Sequence, residues 1–366
     1  MNICIVCSEY PPGPHGGIGT SAMMLARGMV ERGHNVYVVG MYKPSYPAPD
    51  YEEDQGVKVW RLRDAGKFPG SWLWARFRLF RFVQSLIKTQ EIEIVEVADY
   101  AGWAAGWPRL SVPLIVRLHS AGSLVSRVTG REIKRLSFWL ERRSLARADC
   151  WVSVSRYIAE ETKDLFQLSP DHVEVIPNFV VAAEEQEAVP RLANRVIFAG
   201  TLNENKGVVS LVKSWHHVRS AHNHAELHIF GKDGRTATGQ SMKEYLLTEM
   251  GDPGELGIEF HGHVQRDELF QAFRTARAAV LPSFTEACSL VAIEAMNQGC
   301  PTIFTKRASG PELIADGVDG LLVDPQDSDE IAAKIIQVLS DDVLAARLGA
   351  AGREKIRREF SADVCV

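Results

Sequence analysis

Residues 282–296 read Pro282-Ser283-Phe284-Thr285-Glu286-Ala287-Cys288-Ser289-Leu290-Val291-Ala292-Ile293-Glu294-Ala295-Met296. The apolar run before Pro282 has the character of a strand, the Ser/Thr/Glu stretch that of a loop, and a helix is expected from about Ser289. A strand, loop and helix in that order form the repeating unit of an α/β sheet. Glu294 falls about one and a half turns into that helix, among Leu290, Val291, Ile293 and Met296. A carboxylate there needs a polar partner, because burying it unpaired is costly. Free N–H groups at 287–290 suit an anion. The plain structural alternative has Glu286 capping the helix and Glu294 bonding backbone.

The same alternation extends outward. Strand-like runs at 195–200, 226–230, 258–261, 278–282, 301–304 and 320–323 alternate with helical stretches at 211–219, 242–250, 266–276, 290–297, 310–316 and 329–339. The first half repeats the pattern. Strands are expected at 2–7, 35–40, 57–62, 92–97, 114–118, 150–154 and 173–176, and helices at 19–32, 72–88, 131–148 and 156–165. Several strands are continuous apolar runs, as when helices cover both faces of a parallel sheet. The expected fold is therefore α/β, with two doubly wound Rossmann-like domains. Their boundaries are set at 1–182 and 191–345. The acidic, proline-ended stretch 183–190 is the linker, and a terminal helix over 346–366 has a path open back to the first domain. Ligands of open α/β sheets bind at the carboxyl ends of the strands, which locates function in a cleft that the two domains share.

At 366 residues, with 46% hydrophobic side chains, the chain is too long for one ordinary core. Its formal charge of −5 and isoelectric point near 6.1 argue against a nucleic-acid partner, for which a domain value above about 9 is usual. The total conceals a split. Residues 1–180 carry 22 basic and 19 acidic side chains, a net of +3, whereas 181–366 carry a net of −8. Within 71–147 the net is +7. No apolar run reaches the ~18 residues of a membrane span, and the N-terminus lacks the basic region of a signal peptide. A cytoplasmic location is expected. Cys4 and Cys7 form a CxxC, but residues three apart on a strand point to opposite faces, so they are read as core cysteines.

Two further loops have chemical promise. The first strand leads into Pro11-Pro12-Gly13-Pro14-His15-Gly16-Gly17-Ile18-Gly19, with a helix following. Glycines allow close approach of backbone to a ligand, and a helix N-terminus favours phosphate. The stretch Gly17-Ile18-Gly19-Thr20-Ser21-Ala22 fits the GxGxxA form of a dinucleotide site, which keeps a nicotinamide oxidoreductase as a rival. The second strand, however, ends Val39-Gly40-Met41 without the acid that would hold a ribose. The second domain opens with a strand, then Gly200-Thr201-Leu202-Asn203-Glu204-Asn205-Lys206-Gly207. That places an ammonium beside backbone donors, suited to a diphosphate; a solvated surface lysine is the alternative.

Together these segments resemble the retaining GT-B glycosyltransferases of family 4. The resemblance runs through Gly16–Gly19, Val175-Ile176-Pro177-Asn178, the Gly-x-Leu-x-x-x-Lys-Gly segment at 200–207, Phe230-Gly231, His261-Gly262-His263-Val264, Glu286 with Glu294, Gly299-x-Pro301 and Gly310-Pro311-Glu312. It implies transfer of a sugar from a nucleoside-diphosphate donor, UDP- or GDP-linked, to a hydroxyl of a glycan or lipid-linked acceptor, in cell-surface polysaccharide or glycolipid synthesis. By the same resemblance His119, Lys206 and Glu286 are the catalytic candidates. Gly16, Gly17, Gly19, Thr201, Lys206, Val264, Glu286, Ala287, Cys288, Ser289, Leu290 and Glu294 would bind the donor, Glu294 through the ribose and Val264 through the base. His15, Asp99, Tyr100 and Arg117 are acceptor-side candidates. No cofactor is implied, and no paired-carboxylate motif calls for a metal. One departure stands out: the family usually has Arg after the glycine at 200, where this chain has Thr201. Arg117, Lys232 and Arg307 are candidate replacements, and a non-catalytic homologue is the second rival. Finally, Trp72–Phe82 interleaves aromatics with arginines. It reads either as an amphipathic helix on an anionic membrane or as a core helix with snorkelling arginines.

Overall fold

The computed structural model describes residues 1–64, 66, 70–183 and 189–366. These fall into two compact units, one of Met1–Asn178 with Val366, the other of Phe179–Cys365. The chain divides after Asn178, slightly before the position 182 expected from sequence. Of the expected linker, 184–188 lies outside the described residues.

The first unit contains β1 (Asn2–Val6), α1 (Gly17–Glu31), β2 (Asn35–Tyr42), β3 (Tyr51–Asp54), β4 (Val57–Arg63), α2 (Ser71–Thr89), β5 (Ile94–Ala98), β6 (Leu114–Leu118), α3 (Gly122–Val128), α4 (Arg135–Leu145), β7 (Cys150–Ser153), α5 (Arg156–Phe166) and β8 (Val173–Val175). Its strands lie in the order β3-β4-β2-β1-β5-β6-β7-β8. All pairings are parallel except β3 with β4. Consecutive residues Val38 and Val39 are both fully buried, as a sheet covered on both faces requires. Several elements depart from the sequence expectation, among them α3, which no expected helix covered, and the terminal helix expected over 346–366, which is two helices, Asp342–Glu359 and Ala362–Cys365. Strand β3, Tyr-Glu-Glu-Asp, has no apolar run to mark it, and its charges suit an exposed sheet edge. The helix expected over 131–148 is shorter, running from Arg135 to Leu145, and a separate helix, α3, precedes it and is closed by Gly130 at a positive φ of 65°. Cys4 and Cys7 are free thiols buried in the core.

The second unit contains β9 (Leu192–Ala199), α6 (Val208–Ala221), β10 (Glu226–Phe230), α7 (Met242–Met250), β11 (Ile258–Gly262), α8 (Arg266–Thr275), β12 (Ala276–Leu281), α9 (Leu290–Asn297), β13 (Thr302–Thr305), α10 (Gly310–Leu313), β14 (Leu321–Val323), α11 (Ser328–Ser340), α12 (Asp342–Glu359) and α13 (Ala362–Cys365). Its parallel strands run β11-β10-β9-β12-β13-β14. One face buries Val196, Phe198, Leu227 and Ile229 against Trp215 and Ile335. The other buries Ile197, Ala199 and Phe230 against Phe273 and Ala295. This alternation along β9 and β10 is the two-residue period of a strand. Helix α12 belongs to this unit, and only Val366 is grouped with the first.

In each sheet the winding direction reverses at one pair of neighbours: β1 and β5 in the first, β9 and β12 in the second. Loops leaving such a pair part to opposite sides and open a crevice at the carboxyl edge. Those four loops begin at 7, 99, 200 and 282.

Candidate active site

At the β9/β12 reversal, residues far apart in sequence meet. Lys206 follows β9 in a single helical turn whose cap is Asn203, with its side chain accepting from the Lys206 N–H at 3.0 Å. Gly207 then takes φ of 71°, and a Cβ there would come within 1.9 Å of the Pro282 carbonyl. Only glycine lets this turn lie against the end of β12. The loop after β12 is tied to it in return, Phe284 N–H donating to Asn205 O at 2.8 Å. The outcome is a contact of 2.5 Å between Lys206 Nζ and Glu286 Oε1. Ser283 Oγ also donates to Glu286 Oε1, at 3.0 Å, and Ser309 Oγ holds the Glu286 carbonyl at 3.0 Å. The Lys206 side chain remains 32% exposed, so the ammonium is held yet reachable.

Residues Ala287 and Cys288 form a half-buried bend leading to Ser289, the N-cap of α9, whose side chain accepts from Ala292 N–H. Further along α9, Glu294 is buried, and its polar partner is Arg266. The guanidinium approaches Glu294 Oε1 at 2.9 and 2.7 Å through Nε and Nη2. Burial pushes the Glu294 carboxyl above its ordinary value, while Arg266 pulls it down. Val264 lies just after β11 and packs partly buried against the core that contains Phe230.

Thr201 is exposed. Two of the three cations considered as replacements for an arginine there are committed elsewhere. Arg117 is buried and bidentate to Glu96, at 2.8 and 2.9 Å, across the neighbouring strands β5 and β6. This corrects its assignment to the acceptor side: a charge this buried stays with its counter-ion. Arg307 pairs with Asp324 at 2.8 Å and with Gln326. Lys232 is exposed, and its carbonyl accepts from Leu202 N–H at 2.9 Å, which puts it beside the Thr201 loop.

In the first unit the glycine loop leads into α1, with Gly16 as N-cap. Gly19 donates its N–H to Glu9 Oε1 at 2.8 Å, and a Cβ there would meet the Glu9 carbonyl at 2.1 Å. Gly17 has nothing within 4 Å of its Cβ position. His15 is exposed and its Nδ1 contacts Gly13 O at 2.7 Å. The Gly19 N–H thus faces a carboxylate, an arrangement not legible in the motif because Glu9 lies ahead of it.

At the ends of β5 and β6, Asp99 is fully buried and accepts from the N–H groups of His119, at 3.0 Å, and Ser120, at 3.2 Å. Burial pushes its carboxyl up to about 7, although the His119 N–H bond opposes this. Ser120 has a positive φ of 100°, a strained conformation for a side-chain residue. Asp99 therefore positions the His119 segment rather than facing a ligand, which corrects its reading as an acceptor contact. Burial, with Arg117 adding to it, lowers the His119 pKa to about 3, so its imidazole is neutral at any physiological pH.

Tyr100 is 52% exposed and lines a cavity of about 450 Å³ with Trp72, Ser126, Lys134 and Leu136. That size lies within the range of small-molecule pockets. Glu141 anchors its wall, accepting from Gly122 N–H at 2.9 Å and Ser123 N–H at 3.0 Å. Beside it, α2 carries the aromatic–arginine stretch. Arg76 is buried and donates to the carbonyls of Trp72, Ala101 and Gly102. Leu73, Trp74 and Phe77 are about half exposed, at 55%, 47% and 50%. Among the described residues no helix is long and apolar enough to cross a membrane.

Comparison with known proteins gives a consistent picture. Residues 15–184 match the sequence profile described as Glycosyltransferase Family 4, and residues 193–341 match that described as Glycosyl transferases group 1. An uncharacterized glycosyltransferase of Methanocaldococcus jannaschii is 28% identical, over 93% of this chain and 90% of its own. A glycogen synthase of Mycobacterium tuberculosis is 25% identical, over 98% and 91%. Among solved structures, sucrose-phosphate synthase from Thermosynechococcus elongatus superposes with a TM-score of 0.79 at 21% identity, covering all of this chain and 96% of that one.

Proposed function

This chain belongs to the GT-B glycosyltransferases of family 4 type and uses a nucleotide-sugar donor, and on that premise we propose that it transfers with retention from a UDP- or GDP-sugar to a hydroxyl of a lipid-linked acceptor or glycan. The observation that carries this is the joining of Lys206 and Glu286 at the β9/β12 reversal. Transfer requires charge on the departing nucleoside diphosphate to be stabilised, and a positioned cation with backbone N–H groups does this. In this reading Lys206 leaves Glu286 for the diphosphate. The freed Glu286 carboxylate then accepts hydrogen bonds from the donor sugar. Backbone at 287–290 forms the anion cradle, Gly16 and Gly17 offer further N–H groups to the diphosphate, and Lys232 supplies the positive charge that Thr201 lacks; the Gly19 N–H stays with Glu9. Glu294 accepts from the ribose hydroxyls and Val264 backbone meets the base. His119, neutral, orients the donor sugar by hydrogen bonding. Attack on the same face as departure needs no protein nucleophile and no metal at the diphosphate.

The acceptor side is proposed to be the cavity lined by Tyr100 and Trp72 in the first unit. Its neighbours Leu73, Trp74 and Phe77 are apolar and exposed, in the region of net charge +7. That combination suits an enzyme resting on the anionic inner face of the cell membrane, consistent with cell-surface polysaccharide or glycolipid synthesis. Vesicle co-sedimentation tests it: binding that rises with anionic lipid supports the surface, and equal binding to neutral vesicles removes it. For the reaction, a panel of UDP-, GDP- and ADP-sugars followed by proton NMR is decisive. Consumption of one donor with the anomeric configuration kept is expected; an inverted product would overturn retention, and no turnover of any donor would favour the non-catalytic reading.

A further inference from the structure

The second sheet carries a group of side chains that the transfer reaction does not use. His228 on β10 lies opposite Glu259 on β11 in the strand register, and His261 is two residues further along β11. His228 Nδ1 is 2.8 Å from His261 Nε2 and 3.6 Å from Glu259 Oε2. One ligand atom from each of the three residues lies within 4.8 Å of the others, the one such group among the described residues. The rings are held in place: His261 stacks on Phe230, with centroids 4.3 Å apart, and on His228 at 5.0 Å. On its other side, His228 Nε2 is 3.3 Å from Glu226 Oε2. A carboxylate there keeps the proton on Nε2 and turns the Nδ1 lone pair toward His261 and Glu259, the arrangement by which outer carboxylates prepare metal-binding histidines.

The geometry points to a transition-metal site formed by His228, His261 and Glu259, at the edge of the second sheet and separate from the transfer chemistry. Two imidazoles and one carboxylate are a ligand set suited to Zn²⁺ and its neighbours rather than to Mg²⁺ or Ca²⁺. Zinc–nitrogen bonds of about 2.0–2.1 Å at a tetrahedral angle set two ligand nitrogens about 3.3 Å apart. The His228–His261 contact therefore opens only slightly to admit the ion, which takes the place of the proton the two rings share. That proton moves to His261 Nδ1, and the ring stays neutral. Glu259 is 64% exposed at its side chain, so solvent reaches the site and a fourth position is left for water. The ion would pin β11 to β10 just before Gly262. Phe230, stacked on His261, lies on the same sheet face against which Val264 packs, so occupancy also stiffens the segment after β11.

The test uses the full chain, stripped by a chelator and titrated with Zn²⁺ in competition with a chromophoric indicator. One Zn²⁺ per chain is expected, undiminished by excess Mg²⁺ or Ca²⁺, together with a rise in melting temperature of a few degrees at saturating Zn²⁺. His261→Gln and Glu259→Gln should each weaken binding about tenfold or more, and Glu226→Gln about 10–100-fold through His228. Glu259→Gln, at an exposed position, reports on the site even where a histidine variant disturbs packing on Phe230. Absence of stoichiometric binding, or affinity unchanged in both His261→Gln and Glu259→Gln, would overturn the assignment.

Discussion

Lys206 Nζ stands 2.5 Å from Glu286 Oε1, although 80 residues separate them in sequence. The two arrive from adjacent strands whose crossovers run in opposite directions, so their meeting follows from the topology of the second sheet. Each fixes the position of the other at the carboxyl edge of that sheet.

Removing either group should therefore affect transfer more than folding. Lys206→Ala and Glu286→Gln are each expected to lower transfer about a hundredfold or more. A partly exposed ion pair contributes little to stability, so melting temperatures should stay near wild type. Full activity in both variants would refute the proposed centre.

Gly17 and Gly207 should respond in opposite directions to alanine. Gly207→Ala forces a Cβ toward the Pro282 carbonyl at positive φ and is expected to cost about 2–4 kcal/mol in urea unfolding. At Gly17, the first residue of α1 with open space around it, alanine should add about 0.4 kcal/mol or more of stability by restricting the unfolded chain. The same methyl is expected to weaken donor binding, because it covers backbone assigned to the diphosphate. Gain of stability with unchanged donor affinity would remove the glycine loop from the site.

Both halves of the fold could be read from βα alternation and apolar runs, and the segments around Lys206 and Glu286 were identifiable separately. What sequence could not supply was pairing. Arg117 looked like a free cation until Glu96 met it across two strands, and Asp99 looked like a ligand group until the backbone of His119 and Ser120 occupied it. Glu9 and Glu141 escaped notice because each acts on N–H groups of a distant segment, which no local pattern encodes. Strand β3 was missed because its charged residues follow edge protection rather than apolar periodicity.

Asp99 gives a pH signature. Its carboxyl, near 7 in the native state against an ordinary 3.8, keeps a proton that the unfolded chain has already released between those values. Its contribution to stability should thus fall as pH rises from about 4 to 7 and level off above 7. Chemical denaturation of wild type and Asp99→Asn across pH 4–8 should show a wild-type advantage that shrinks over that interval. A difference constant with pH would contradict the buried, protonated acid.

The Arg266–Glu294 pair makes stability depend on pH. Arg266→Ala leaves a buried carboxylate without this partner, at an expected cost of about 3 kcal/mol. Burial has already raised the Glu294 pKa, and loss of the guanidinium raises it further. The variant should therefore be least stable at high pH and recover as Glu294 takes up a proton on acidification. Unfolding midpoints at pH 5 and 8 measure this, and an equal deficit at both would argue against it.

Calorimetric titration of the full chain with UDP, GDP and ADP, repeated on Lys206→Ala, tests the central claim most directly. The account predicts one preferred nucleoside diphosphate, bound one to one, with affinity at least about tenfold lower in the variant. Binding of none of the three, or equal affinity in wild type and Lys206→Ala, would contradict it.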